Sequence, residues 1–500
     1  MSDAAAIAEP ASARPAARPG FLRGCYTFIT GMCSFYFVIA CCSLYWLVGA
    51  GAWLFSKILP RSIVERAPFA FLLASTVLMS AATQTIPNFF PNYAYPGEIA
   101  AELAMWFSIG IFARCYLIYI AYPETFEGLK QAIASRPFDR WISTHLHHPI
   151  DAIYTRIWVG NSVAMIPLTL LLILPQTNNY FVLAAYGTAL LLLQFPHELA
   201  DHVNIHTRIF QPKIGASEPI KKLFGALQFY FEYVLAMLVA RAPNYYRVQH
   251  VYVHHVEDNG LLDSQTTAHL DRTSFLDFSR HAFKQGLDLV FGVSIYCYIK
   301  AKGKNRQLRD LVRGMAIWWA FVIAVGIFNP VGAIILFVSR FIGGNMQSLV
   351  AFWQHGLVDP KDIQDNYGNT TNYAGPEHGN LGNDYHVEHH VRPGRHWAAY
   401  YEDFSKESAK ETGHRSVVMH KETFSPLTFV AALWGKDYAA IASYGNLGGI
   451  PKGDKAALAR VVEERTRPIG HYIERLGAAA RFDLMFSRAM AFLLPTRFQV

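Results

Sequence analysis

The chain has 500 residues, of which 52% are hydrophobic and only 16% charged, and its mean hydropathy is +0.17. A soluble chain carries about 25% charged residues, so this balance argues against a string of soluble domains and for a polytopic membrane protein. The formal charge of +7 fits basic cytoplasmic loops and gives little support to nucleic acid binding.

Residues 1–24 are mostly Ala, Pro, Ser and Arg without an apolar run, so they read as a disordered tail and not as a cleavable signal. Apolar stretches that span, or nearly span, a bilayer follow at 26–55, 68–86, 98–122, 157–175, 180–196, 311–328 and 331–352. The first is too long for one plain span and holds Gly31, Gly49 and Gly51, which allow it to tilt, kink or fold back. The segments 123–156 and 203–310 are rich in Lys and Arg and read as cytoplasmic, whereas the turns at 86–96, 175–179 and 329–330 are uncharged and read as external. The later spans then form hairpins, with two candidate interfacial helices, 219–240 and 274–300, in the cytoplasmic body between them. The last stretch, RFDLMFSRAMAFLLPTRFQV, alternates apolar runs with Arg481, Arg488 and Arg497 and resembles a surface-lying segment.

Cys25, Cys33, Cys41, Cys42, Cys115 and Cys297 form no CxxC pair. They read as small apolar packing residues, with no iron–sulfur or zinc framework encoded. The histidines are distributed very differently. His197 and His202 stand in HELADH, His250, His254 and His255 in HVYVHH, His355 in WQHG, and His386, His389 and His390 in NDYHVEHH. Each group lies at or just beyond the cytoplasmic end of an apolar segment. Imidazole is the commonest neutral metal ligand near pH 7 and suits iron. Nine imidazoles are too many for one ion with open positions but suit a pair.

Helical spacing supports a shared site. His250 and His254 are four apart and lie on one face; His386 and His390 repeat that spacing, with His389 close by. His255 is turned about 100° from His254 and faces a second ion. His197 and His202, five apart, are about 140° around a helix, so they straddle two metals or the helix distorts near Pro196. His145, His147 and His148 read as a basic loop cluster. His206, His269, His281, His378, His396, His414, His420 and His471 read as surface residues. Glu198, Asp201, Asp384 and Glu388 are the candidate outer partners of metal-bound rings, with Glu388 foremost. Glu257 and Asp258 fit that role or a solvated surface equally well, and Asn383, Tyr385 and Trp353 are expected to shape the site wall.

HELADH, HVYVHH and NDYHVEHH resemble the three histidine boxes of the membrane fatty acid desaturase and hydroxylase superfamily, and the third is close to its YHxEHH signature. The layout of hairpin, two boxes, hairpin and last box over residues 157–397 is similar too, and His355 occupies the place of the extra ligand. Two departures stand out. Ala351 stands where the desaturase pattern has Asn, and HVYVHH and WQHG also look like boxes of membrane alkane hydroxylases. The resemblance implies an all-α polytopic membrane protein, with transmembrane hairpins capped by a cytoplasmic helical domain that holds a non-haem diiron centre. It also implies an inner-membrane, O2-dependent enzyme that desaturates an acyl lipid. Hydroxylation is the alternative, and the i+5 box spacing tips the choice to desaturation. The domains expected are a tail (1–24), N-terminal membrane segments with a cytoplasmic loop (25–156), the catalytic domain (157–397) and a cytoplasmic extension (398–500).

Cysteine clusters, a dinucleotide fingerprint and a haem motif are all missing from the sequence. A separate ferredoxin, rubredoxin or cytochrome-type donor is therefore implied. Such donors are usually acidic, and the surface formed by Lys221, Lys222, Lys300, Lys302, Lys304 and Arg306 is the candidate dock, unless these are ordinary positive-inside loops. A metal or proton transporter is the contrasting class. It is disfavoured because transporters place their ligands near the bilayer midplane, whereas these histidines lie beyond the span ends.

Overall fold

The structure is a computed structural model that describes residues 122–469, apart from 175–179, 261, 362–364, 376, 408–414, 421–425 and 452. The expected tail, the N-terminal apolar segments, every cysteine except Cys297, His414, His471 and the last stretch lie outside the described residues.

Two short helices, α1 (Phe126–Ala134) and α2 (Pro137–Ser143), lead through a 3-10 turn (Pro149–Tyr154) into α3 (Thr155–Ile173). The side chain of Thr125 caps α1, and Pro137 opens α2 at a position where a missing N–H costs nothing. α3 packs along α4 (Tyr180–His206), which runs unbroken through Pro196. The cytoplasmic body follows. α5 (Glu218–Phe229) continues into a π-helical turn (Tyr230–Leu235), and α6 (Tyr245–Gln249) continues into another (His250–His254).

The stretch 274–300 is two helices, α7 (Phe275–Phe291) and α8 (Val293–Ala301), and not one. They break at Gly292, whose φ of +68° is strained for any residue with a Cβ. Nor is α7 merely interfacial, because it lies along α10 (Pro330–His355) at very close range. A Cβ on Gly344 would sit 2.6 Å from the Cα of Gly286, so glycine sets this crossing. α9 (Asn305–Phe328) and α10 form the hairpin expected from the Asn-Pro turn. Asn329 caps α10 by accepting from Gly332 N, and it donates to the Leu172 carbonyl at 3.1 Å, which ties the hairpin to α3.

Three described helices are long and apolar enough to cross a membrane: Pro149–Ile173, Asn305–Phe328 and Pro330–His355. Arg340 is buried in the last of these. It stacks on Trp318 and Tyr245 and donates to the Ala240 carbonyl at 3.1 Å, which offsets the cost of a buried charge.

The described residues are mostly helical, but they carry a small sheet that an all-α reading does not foresee. β1 (Asn372–Ala374) pairs in parallel with β2 (Val418–His420), which pairs antiparallel with β3 (Gly445–Asn446). Strands this short escape sequence periodicity. The sheet covers a second apolar core with Tyr373, Met419, Phe429 and Leu458, against α13 (Pro426–Trp434), α14 (Tyr438–Tyr444) and α15 (Lys455–Arg465). Between β1 and β2 come α11 (His386–Val391) and α12 (Tyr400–Glu407).

Candidate metal centre

The second histidine box lies on the π-helical turn. An i to i+5 repeat brings His250 and His255 to one side, with Nε2 atoms 3.1 Å apart, and turns His254 to another. The sequence reading put His250 and His254 together on a regular helix, but the extra residue per turn separates them. α11 is short and regular, so His386 and His390 share one face as their spacing predicts, whereas His389, read as close by them at i+3, belongs to the first group.

Among the described residues these elements build two histidine groups. His202, His206, His250 and His389 form the first, and His254, His355, His386 and His390 the second; within each, one ligand atom per residue lies within 4.8 Å of the others. In the first group His202 Nε2 is 2.8 Å from His250 Nε2 and 2.9 Å from His389 Nε2. His255 Nε2 joins it, 2.8 Å from that of His389. In the second group His386 Nε2 is 3.0 Å from His355 Nε2.

Several rings have their tautomer fixed from outside. Asn383 donates its amide to the Asn380 carbonyl, so its Oδ1 faces His202 and accepts from Nδ1 at 2.8 Å. His355 Nδ1 donates to the Asn369 carbonyl at 2.8 Å, and His254 Nδ1 to Asp263 Oδ2 at 2.6 Å. Asp263 is fully buried and is held in turn by the backbone N–H groups of Asn259 and Gln265. His390 Nδ1 lies 2.6 Å from Asp258, and His389 Nδ1 lies 3.2 Å from the Tyr400 hydroxyl. With Nδ1 protonated, Nε2 carries a bare lone pair aimed at its neighbours. Metal–imidazole bonds are about 2.0–2.1 Å, so ligand nitrogens at right angles around one ion stand about 2.9 Å apart. The observed separations match that edge, and the residues present fit a pair of metal ions.

The electrostatics agree. Burial, reinforced by the neighbouring imidazoles, holds His250, His255, His386, His389 and His390 well below the usual histidine range, so they are neutral near pH 7. Burial pushes His254 the same way, but the Asp263 carboxylate overrides it and raises that ring; burial also raises Asp258, to about 6.

The placement of the other candidates differs from the sequence reading in several respects. His197 lies outside both groups. Its ring stacks on Phe231 at 4.7 Å, with both nitrogens buried and unpartnered among the described residues. His206, read as a surface residue, is half-buried in the first group, one turn beyond His202 on the same face of α4. The signal was there in HVNIH, an i, i+4 pair.

His281 and His378 are buried, not surface residues. His378 donates to the Pro123 carbonyl and accepts from Leu381 N, so it pins a loop. His145, His147 and His148 stay apart from both groups, and His148 stacks on His396 at 3.8 Å. Of the outer carboxylates, Glu198 pairs with Arg241 at 2.8 Å, Glu388 accepts from Asn372 at 2.7 Å, Asp384 is fully buried and Asp201 is half-buried. Asp263 and Asn369 have no sequence signal, because loops bring them to the rings.

Residues 215–420 match the family model described as fatty acid desaturase. The chain thus resembles the membrane fatty acid desaturase and hydroxylase superfamily over about two fifths of its length. The match includes seven of the clustered histidines and begins after α4, so His202 and His206 join them on geometry alone. No curated protein and no solved structure matches the chain.

Proposed function

We propose that the chain is a membrane non-haem diiron oxidoreductase that uses O2 to oxidise an aliphatic C–H bond of a lipid. The observation that carries this reading is the convergence of bare Nε2 atoms in two adjacent groups, on a chain that matches the desaturase model. His202, His206, His250, His255 and His389 would hold one iron, and His254, His355, His386 and His390 the other. Bound there, two irons supply an oxidant strong enough to take hydrogen from an unactivated carbon.

The protein's own groups do the rest. Asn383, Asp263 and the Asn369 carbonyl keep the Nδ1 protons outward and fix the rings. Buried surroundings exclude water from the reacting centre. Positioning of the substrate carbon decides between a double bond and an alcohol. Desaturation is the first reading, from the family match. The second reading, hydroxylation, draws support from the i, i+4 pair His202–His206, since the i+5 spacing that favoured desaturation is not the pairing in the group. Electrons come from a separate ferredoxin, rubredoxin or cytochrome-type donor. The exposed Lys221, Lys222, Lys300, Lys302 and Arg306 support docking of an acidic partner. The active site faces the cytoplasm in this reading.

Elemental analysis of the purified chain should find about two irons, and lipid mass spectrometry of expressing cells should find a product altered by loss of two hydrogens or gain of one oxygen. A single zinc, or no metal with activity intact, refutes the proposal.

A further inference from the structure

A cavity of about 60 Å³ lies against both histidine groups, touching His202 and His250 of the first and His254, His355 and His386 of the second. A reacting carbon brought to the two ions would pass through it. Within a largely apolar lining, Gln265, Gln347 and Gln354 border it together with Glu198.

The hydrogen bonds of these groups are only partly used. Glu198 is held by Arg241 at 2.8 Å and by the amide of Gln347. Gln354 donates to the Asn383 carbonyl at 3.1 Å. The side-chain oxygens of Gln347 and Gln354, and the whole side-chain amide of Gln265, have no hydrogen-bond partner among the described residues. Leaving a buried amide unpaired costs about 1–3 kcal/mol. A plain methylene chain filling the cavity would strip water from all three and return nothing.

Other lining residues have the opposite character: Phe195 and Leu199 on α4 and Val350 on α10 are apolar, and Phe195 is 38% exposed. An apolar tail suits these residues and a polar group suits the glutamines. The polar group is uncharged, because the lining offers no Lys or Arg for an anion, and its one carboxylate, Glu198, is already paired with Arg241.

We propose that the substrate is a long-chain lipid with an uncharged hydroxyl, carbonyl or amide end held by Gln265, Gln347 and Gln354, and that oxidation falls at or next to the carbon bearing that group. This rests on the proposed oxidase reading for the reaction, but not for the binding. The test is retention of radiolabelled long-chain primary alcohol, primary amide and alkane of equal length on the purified full-length protein, with iron content measured alongside.

Gln265→Leu breaks no hydrogen bond of the fold, and it should lower the alcohol-to-alkane and amide-to-alkane binding ratios about five- to tenfold, with iron unchanged. Gln354→Leu should act in the same direction and serves as the second variant. Unchanged ratios in both variants overturn the proposal, as does preferential retention of a phospholipid or free fatty acid over the alcohol. A product oxidised at mid-chain by iron-loaded protein also overturns it and leaves the oxidase reading standing. Failure to bind iron or to oxidise any lipid defeats the oxidase reading instead, and the binding ratios still decide this one.

Discussion

Replacing His197 by Phe and His206 by Ala sets the sequence-derived ligand set against the structural one. The His197 ring is fully buried against Phe231, and neither nitrogen has a partner among the described residues. Each unpaired nitrogen costs about 1–3 kcal/mol, which His197→Phe relieves. Fitting the slightly larger ring costs about 1–3 kcal/mol in a packed interior, no more than the relief of about 2–6 kcal/mol at two nitrogens, so stability should stay the same or rise. His206 sits in the first group with ring centroids 4.6 Å from His389 and 4.7 Å from His255. Loss of an outer partner lowers metal affinity about 10–100-fold, or about 1.4–2.8 kcal/mol, and loss of a ligand should exceed that. His206→Ala should therefore retain about one iron per chain where His197→Phe retains two. The assay is iron content by elemental analysis after dialysis against a weak chelator, with thermal unfolding in detergent to monitor folding. Iron lost from His197→Phe and kept by His206→Ala would refute both the two-group geometry and the reasoning drawn from it.

His355→Ala should likewise lower iron content and abolish product, whereas His147→Ala should do neither; full iron and activity in His355→Ala would remove it from the second group. Asp263→Asn keeps the shape but weakens the hold on His254 Nδ1, and should lower metal affinity at the second group about 10–100-fold in a chelator titration; unchanged affinity would show that the ring is oriented by other contacts. Gly344→Val places side-chain atoms where Gly286 now lies and should abolish the folded, monodisperse species in size-exclusion chromatography, and a normal profile would deny the close crossing of α7 and α10. In a chain freed of its own cysteines, a cysteine at Asn178 should react with an impermeant thiol reagent in intact cells, and one at Lys304 only after lysis. The reverse pattern would put the histidines outside, away from cytoplasmic electron donors.

The parts of the site that are legible in the sequence are those governed by local spacing. α11 is a regular helix, so NDYHVEHH pairs His386 with His390 without tertiary information, though not the turn of His389 to the other group, and Asn329-Pro330 fixes the hairpin that delivers His355 to the end of α10. Where the backbone leaves the 3.6-residue repeat, spacing misleads: the π-helical turn regroups His250 with His255, and no side-chain pattern in HVYVHH announces it. The first box shows a different failure. Both HELADH and HVNIH offer a histidine pair on one helix, and the sequence reading took the i+5 pair and set His206 aside, although an i+4 pair alone puts two rings on one face. Asp263, Asn369 and Tyr400 reach their rings through loops and turns whose paths depend on burial of Asn259, Thr267 and Trp397, which is a property of the assembled core and not of any window of sequence. The same dependence explains the cavity beside the histidines. Gln265 comes from a loop and Gln347 and Gln354 from two turns of α10, so their meeting follows from packing of that loop against the end of the last described span. A sequence window sees three scattered glutamines, whereas the fold gives them one shared opening beside the ring nitrogens, and that placement restricts what kind of molecule can be oxidised there.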